Sequence, residues 1–242
     1  MNLKTLKTNV IFAARKKIGE YIAAPVMRFL DKLRFKRIAR PEKIIEISPD
    51  DIGYWYTGNR FDEITFPGEI RGGDWSGNLI SREERLANRS CYIGIREHFE
   101  EGVPWPETML FKEKHPMLFE KNGRVKGTDT VKELEEYYKD HYDGLFKQVE
   151  EHGVLPATDE NPDITPLYIH IGPDGEIIYT VDGNHRLYFS MILGIEKIPV
   201  RVWKRHKKWQ QIRDHILSKN GKEVKEEYRK FLIHPDIVGE LQ

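Results

Sequence analysis

Apolar residues recur at helical spacing from the start of the chain. Leu3, Leu6, Val10, Ile11, Ala14, Ile18, Tyr21 and Ile22 are interleaved with Lys4, Lys7, Arg15, Lys16 and Lys17. Pro25 suits the first turn of a second helix, with Val26, Phe29, Leu30 and Leu33 on one side and Arg28, Lys32, Lys36 and Arg37 elsewhere. A linker at residues 41–43 precedes a short strand, Ile44-Ile45-Glu46-Ile47, ended by Ser48-Pro49-Asp50. Residues 52–78 are rich in glycine and aromatics and read as short strands and turns. The spacing predicts a helix over residues 82–101, with Ser81 as N-cap, Glu84 at the capping-box position and Gly102 as its stop. Residues 103–128 are irregular around a short helical piece. Asp129 or Thr130 then opens a helix to about Glu151, closed by Gly153.

The C-terminal third has the clearest pattern. Leu167–Ile171 and residues 176–181 flank Gly172-Pro173-Asp174-Gly175, a hairpin signal. Asp182-Gly183-Asn184 leads into a short helix over residues 185–193, stopped by Gly194. A β-branched strand follows, Ile198-Pro199-Val200-Arg201-Val202-Trp203, and then two charged helices over 207–219 and 222–232.

Composition changes this picture in two ways. With 242 residues, 39% hydrophobic and 11% aromatic, the chain can bury a real core and is not disordered. Its net charge of zero hides a segregation. Residues 1–43 hold 12 Lys/Arg against 3 Asp/Glu, residues 44–181 carry a net −14, and residues 182–242 a net +5. The acidic middle disfavours extended nucleic acid as a partner. Cys91 is the single cysteine, which excludes an intrachain disulfide and a cysteine-based metal cluster and fits a cytoplasmic, reducing setting. Its helical context reads as a small buried hydrophobe. The histidines lack the spacing of a zinc hydrolase.

The basic arm, residues 1–40, is interrupted by charge too often for a transmembrane span or a signal peptide. Two readings of it stand side by side. In one, the arm is a peripheral membrane anchor. In the other, it is a helix pair packed on the acidic middle.

Chemistry concentrates at Tyr179-Thr180-Val181-Asp182-Gly183-Asn184-His185-Arg186-Leu187, where a strand passes through a glycine turn straight into a helix. The first amides of a helix lack intrahelical partners and, with the dipole, favour an anion. Gly183 and Asn184 would approach a phosphate, Arg186 could add a bidentate fork and His185 a further donor. Asp182 would be placed for Mg²⁺ or for accepting a proton. The same residues also make an ordinary turn, with Asp or Asn as a cap.

This box, with Leu193-Gly194-Ile195 and Ile198-Pro199-Val200-Arg201-Val202 behind it, resembles the ParB/sulfiredoxin superfamily. The likeness covers about residues 165–205, with residues 43–52 as a first strand. It implies an α+β fold: a core of small mixed sheet and short helices, a large helical insertion at about 53–164, C-terminal helices over 206–242 and the N-terminal basic helical arm. It also implies nucleotide binding, ATP or CTP with Mg²⁺, with the box on the phosphates. Members hydrolyse CTP, reduce sulfinic acids, cleave nucleic acid or phosphorylate free serine. Asn184 stands where the sulfiredoxin cysteine would be, and no clamp domain follows Trp203. The local box is most similar to the free-serine kinase branch, whose catalytic aspartate maps onto Asp182, with Glu46 and Glu69 as candidates for its partner glutamate. The expectation is a phosphotransferase or NTPase acting on a small-molecule acceptor through Asp182 and His185, with Gly183, Asn184, His185, Arg186 and Arg201 on phosphates. A non-catalytic nucleotide- or phosphate-sensing module at a membrane is the alternative, and a nuclease the third. The chain is also similar to ParB-like proteins of unknown reaction with Gly-Asp-Trp and Arg-His-x-x-Trp segments, here Gly73-Asp74-Trp75 and Arg205-His206-Lys207-Lys208-Trp209. Asp74 could hold metal, Trp75 could stack on a base, and Arg205 and His206 could reach phosphate.

Overall fold

Val200 and Val202 are buried while Arg201 and Trp203, which alternate with them, are half-buried, the period-2 pattern of a strand. A computed structural model, which describes residues 19–41, 43–58, 66–180 and 183–241, builds a seven-stranded mixed sheet around this strand. The strands are β1 (Ile44–Ile47), β2 (Ile52–Tyr56), β3 (Glu69–Arg71), β4 (Leu79–Ser81), β5 (Leu167–Ile171), β6 (Ile177–Tyr179) and β7 (Ile198–His206). Their order is β1-β7-β5-β6-β2-β4, with β3 pairing the C-terminal half of β7. Strands β3 and β5 run parallel to β7, and β2 runs parallel to β6. The β5–β6 hairpin forms as the pattern predicts.

The helices are α1 (Ala24–Arg34), α2 (Arg82–Ala87), α3 (Ser90–Phe99), α4 (His115–Asn122), α5 (Val131–Tyr137), α6 (Gly144–His152), α7 (Asn184–Ile192), α8 (Lys207–Ser218) and α9 (Pro235–Val238). Ile169, Ile171, Val200 and Val202 pack in one core with Leu187 and Phe189 of α7 and with Ile95, Leu134 and Val149 of the helices between β4 and β5. Thr130 caps α5 by accepting from the Glu133 amide at 3.1 Å, and a π-helical stretch, Tyr138–Asp143, runs it into α6. Gly153 ends that helix with φ +69°.

Four expectations change. The helix expected over 82–101 is two helices: the Asn88 side chain turns back to donate to the Glu84 carbonyl at 2.9 Å, and Arg89 becomes extended. The strand expected to stop at Trp203 runs on to His206, because β3 supplies partners for residues 204–206. No α-helix forms over 222–232. Asn220, Gly221 and Glu223 take positive φ, and only a 3₁₀ turn, Glu226–Phe231, follows. The boundary at residue 53 falls inside β2, so the stretch at 53–164 supplies strands to the sheet as well as helices.

Arg205, a candidate for reaching phosphate, is committed elsewhere. It is 2% exposed, and its Nε and a terminal nitrogen donate to the two Asp236 oxygens at 2.9 and 2.6 Å. Arg213 lies 3.4 Å from the same carboxylate, and Trp209 Nε1 donates to it at 3.0 Å. Burial alone would raise the Asp236 pKa. The Arg205 and Arg213 guanidiniums outweigh it and hold the carboxyl well below its usual range.

Candidate anion site at the start of a buried helix

Helix α7 begins at Gly183, whose φ of +77° suits glycine. A Cβ there would also meet the Leu167 side chain of β5. Gly183 therefore lets the chain leave the sheet and start a helix in one residue. As N-cap it brings no side-chain acceptor to the first helical amides. Asp182 lies outside the described residues.

The box side chains divide in two directions. Arg186 turns back and donates to the Thr165 carbonyl, and burial holds its guanidinium below its usual pKa. Arg201 on β7 likewise donates to the Ala157 carbonyl at 2.5 Å. Both arginines grip the connection between α6 and β5. His185 points the other way: its Nε2 lies 3.6 Å from Cys91 Sγ on α3, and its ring sits 4.2 Å from that of Tyr142. Burial, reinforced by the charges of Lys126, His141 and Arg89, lowers its pKa to about 3. Burial pushes the Cys91 thiol up to about 11. At neutral pH the pair is therefore a thiol and a neutral imidazole, not an activated nucleophile. His185 is a packed neutral residue, with no charge to offer a phosphate.

The positive charge comes from residues that the sequence pattern did not single out. Arg85 of α2 and Arg89, at the break before α3, lie beside Tyr188 of α7, and Arg89 also beside Cys91 and His185. Lys126, in the Val125–Thr128 turn, lies 5.8 Å from the centre of the Tyr142 ring that packs on His185. Among the described residues none of these three cations has a carboxylate within ion-pairing distance. Arg85 Nε and Arg89 Nε are buried without a hydrogen-bond partner, and the Arg89 side chain lies beside the Tyr188 hydroxyl. Burial and the neighbouring Arg89 charge pull the Arg85 pKa down. Three cations thus gather around the first turns of α7 without a neutralising acid among the described residues.

The secondary candidates meet at a different place. Tyr168 and His170 alternate to the sheet face opposite Ile169, and a shift of register in β5–β7 pairs His170 with Lys204. There a cavity of ≈ 110 Å³ is lined by Tyr56, Arg71, Asp74, Trp75, His170 and Lys204, together with Gly72 and Asn78. Trp75 makes edge contacts with His170 (6.0 Å) and His206 (5.1 Å). Asp74 is exposed and accepts from the Ser76 amide at 2.9 Å, which lowers its pKa and makes it a turn cap. Glu69, 8% exposed, stands 3.9 Å from Lys204 and 3.5 Å from Arg71. His206 donates through Nε2 to the Gly73 carbonyl and accepts the Lys208 amide at Nδ1, so it caps α8. Glu46 is exposed on β1, 3.9 Å from Lys197.

Glu69, Asp74, Trp75 and His206 are therefore brought together, away from the box, while Glu46, Arg201 and Arg205 join neither group. Among the described residues no three His, Cys, Asp or Glu side chains form a group able to hold a metal ion. Arg85 and Arg89 were legible only as a helical i, i+4 pair of cations in an acidic segment. No protein-family model, no curated protein and no solved structure matches this chain.

Proposed function

We propose that this protein binds the phosphates of a nucleotide, ATP or CTP, at the start of α7, as an enzyme of the ParB/sulfiredoxin-like kind that transfers or hydrolyses a phosphoryl group. The reading is carried by one observation: Arg85, Arg89 and Lys126 gather beside the box without an acidic partner among the described residues, and two of them leave buried donors unused. Buried donors without partners are costly, and a polyanion would satisfy them. Arg and Lys at this position would neutralise phosphate charge, the dominant requirement in phosphoryl transfer. Gly183 keeps side chains away from the helix start. Tyr188 adds a hydroxyl donor.

The donor set fits phosphate better than metal. The described residues bring no metal-holding group to this place, so Asp182 is the residue proposed to face Mg²⁺, and no step is routed through the ion. A second reading, a phosphate-sensing module without turnover, is favoured by His185: neutral and packed against Cys91, it is poorly placed as a general acid or base.

Thermal shift with ATP, CTP and inorganic phosphate, each with and without Mg²⁺, tests the site on wild type, Arg89→Ala and Arg186→Ala. The expected result is stabilisation of wild type by at least one nucleotide, with most of it lost in Arg89→Ala. Equal stabilisation of wild type and Arg89→Ala, or none by any nucleotide, overturns the assignment. Release of phosphate or its transfer to an acceptor, abolished in Asp182→Asn with binding intact, separates the enzyme from the sensing module.

A further inference from the structure

Helix α1 has two faces of opposite character. One is committed to the protein. Ala24 and Asp31, seven residues apart, are buried, and Arg28 donates to the Pro67 carbonyl at 3.2 Å and lies over the Phe66 ring. Just past the helix, the Lys36 and Arg37 amides donate to the Asp214 carboxylate of α8 at 2.9 and 2.8 Å, and Gln210 and Arg213 donate to the Arg37 carbonyl. These contacts pin the rotation of the helix about its own axis.

The opposite face is apolar and bare. Ile22, from the π-helical turn Gly19–Ala23 that leads into α1, and Val26, Phe29 and Leu33 of α1 follow at intervals of four, three and four and form one stripe. They are 63%, 56%, 62% and 71% exposed. A run of large side chains left in water on successive turns marks an interaction surface rather than scattered surface hydrophobes. Exposed Lys32 and Arg34 flank the stripe, and Lys36, Arg37 and Arg40 follow it, also exposed. Asp31, the one acidic residue of α1, is turned into the protein.

We infer that this face docks on an anionic lipid surface, with the stripe in the acyl boundary and the flanking cations among the headgroups. Charge selects this occupant. The exposed border of the stripe is cationic and the one acid of α1 is buried, so an apolar layer rimmed by anionic headgroups matches it, whereas the same face of a second copy would repel it. Among the described residues no helix is long and apolar enough to cross a membrane, and α1 has 11 residues, so it would lie in the interface plane. Upstream, Ile11, Ala14 and Ile18 continue the same spacing in the sequence, beside Arg15, Lys16 and Lys17. This inference does not depend on nucleotide binding.

Vesicle co-sedimentation of the full chain tests it, using phosphatidylcholine vesicles with and without phosphatidylserine. Wild type should pellet with the phosphatidylserine vesicles and be released by salt. Phe29→Ser/Leu33→Ser should lose binding by more than about tenfold, and Lys32→Glu/Arg34→Glu by at least about tenfold. Both variants should keep the wild-type unfolding temperature, since the substituted side chains are exposed. The inference is overturned if wild type stays in the supernatant, if pelleting is equal with and without phosphatidylserine, or if either variant pellets like wild type. It is also overturned if Phe29→Ser/Leu33→Ser lowers the unfolding temperature by several degrees, which would mean the stripe is packed within the protein. A concentration-dependent dimer in sedimentation velocity, abolished by that variant, would assign the face to a second copy instead.

Discussion

Two groups of cations invite comparison. Around Asp236, Arg205 and Arg213 share one buried carboxylate, which also accepts from Trp209 Nε1, and Glu240 lies 2.6 Å from Arg213. Around the start of α7, Arg85, Arg89 and Lys126 have no described carboxylate in reach. The first group is closed and holds β7, α8 and α9 together. The second is open, and a chain that leaves cations so close together forgoes stability there unless an anion arrives. Residue type is the same in both places, and the presence or absence of the acid separates scaffold from site.

Substitutions should break the two groups differently. The largest effect is expected from Asp236→Asn, which leaves two buried guanidiniums without their counter-charge. Unfolding in urea should show a loss of about 3–5 kcal/mol, and a loss near zero would mean the centre is not the clamp described. Next comes Gly183→Ala. The positive φ and the Leu167 side chain in the space of the new Cβ should cost about 1–3 kcal/mol, measured by the same unfolding curves, and should weaken nucleotide binding by displacing the helix start. Arg85→Ala/Arg89→Ala should change stability in the absence of ligand by less than about 1 kcal/mol, because removing mutual repulsion offsets lost packing. The same pair should remove the nucleotide-induced thermal shift. A collapse of stability instead would place these arginines with the closed group. Smallest is Glu46→Gln, an exposed residue with a distant lysine, expected to shift stability by less than about 0.5 kcal/mol and to leave nucleotide binding unchanged.

Acid distinguishes the groups further. His185 and His170 have values lowered to about 3 and His115 to about 4, against 6.5 unperturbed. Burial is the first cause in each. The unfolded chain therefore takes up protons first, and stability should fall as pH drops from 6.5 toward 3. His185→Gln should flatten that slope in pH-dependent unfolding. Asp236 acts in a lower window. Its contribution is fully present above the ordinary carboxylate value of 3.8 and is lost only as pH falls below it toward its depressed folded value.

Local signals act as their sequence predicts. The Ser81 and Thr130 caps, the hairpin around Gly172–Gly175, the stops at Gly102, Gly153 and Gly194, and the helix after Gly183 all follow from side chains within a few residues of one another. Apart from the local break at Asn88, the failures are non-local. Strand β7 runs on to His206 because β3, over a hundred residues earlier, lies beside it. Asn88 breaks a helix that periodicity alone would continue. The sequence leaves Arg205 open to phosphate because Asp236, 31 residues downstream, has no sequence mark as its partner. His185 seemed a phosphate donor because its burial against Cys91 and Tyr142 depends on α3 and on the turn of helix before α6.

By itself the sequence determined the order and kind of most elements, the strand–glycine–helix turn at residue 183, and the segregation of charge into a basic arm, an acidic middle and a basic end. Those depend on backbone freedom, capping and periodicity, which operate over a few residues. Only the tertiary structure decided which cations are spent on acids and which stay open, and which face of α1 meets the protein. Pairing and burial are properties of what lies across the fold. An arginine in an acidic segment can still end with no described acid beside it.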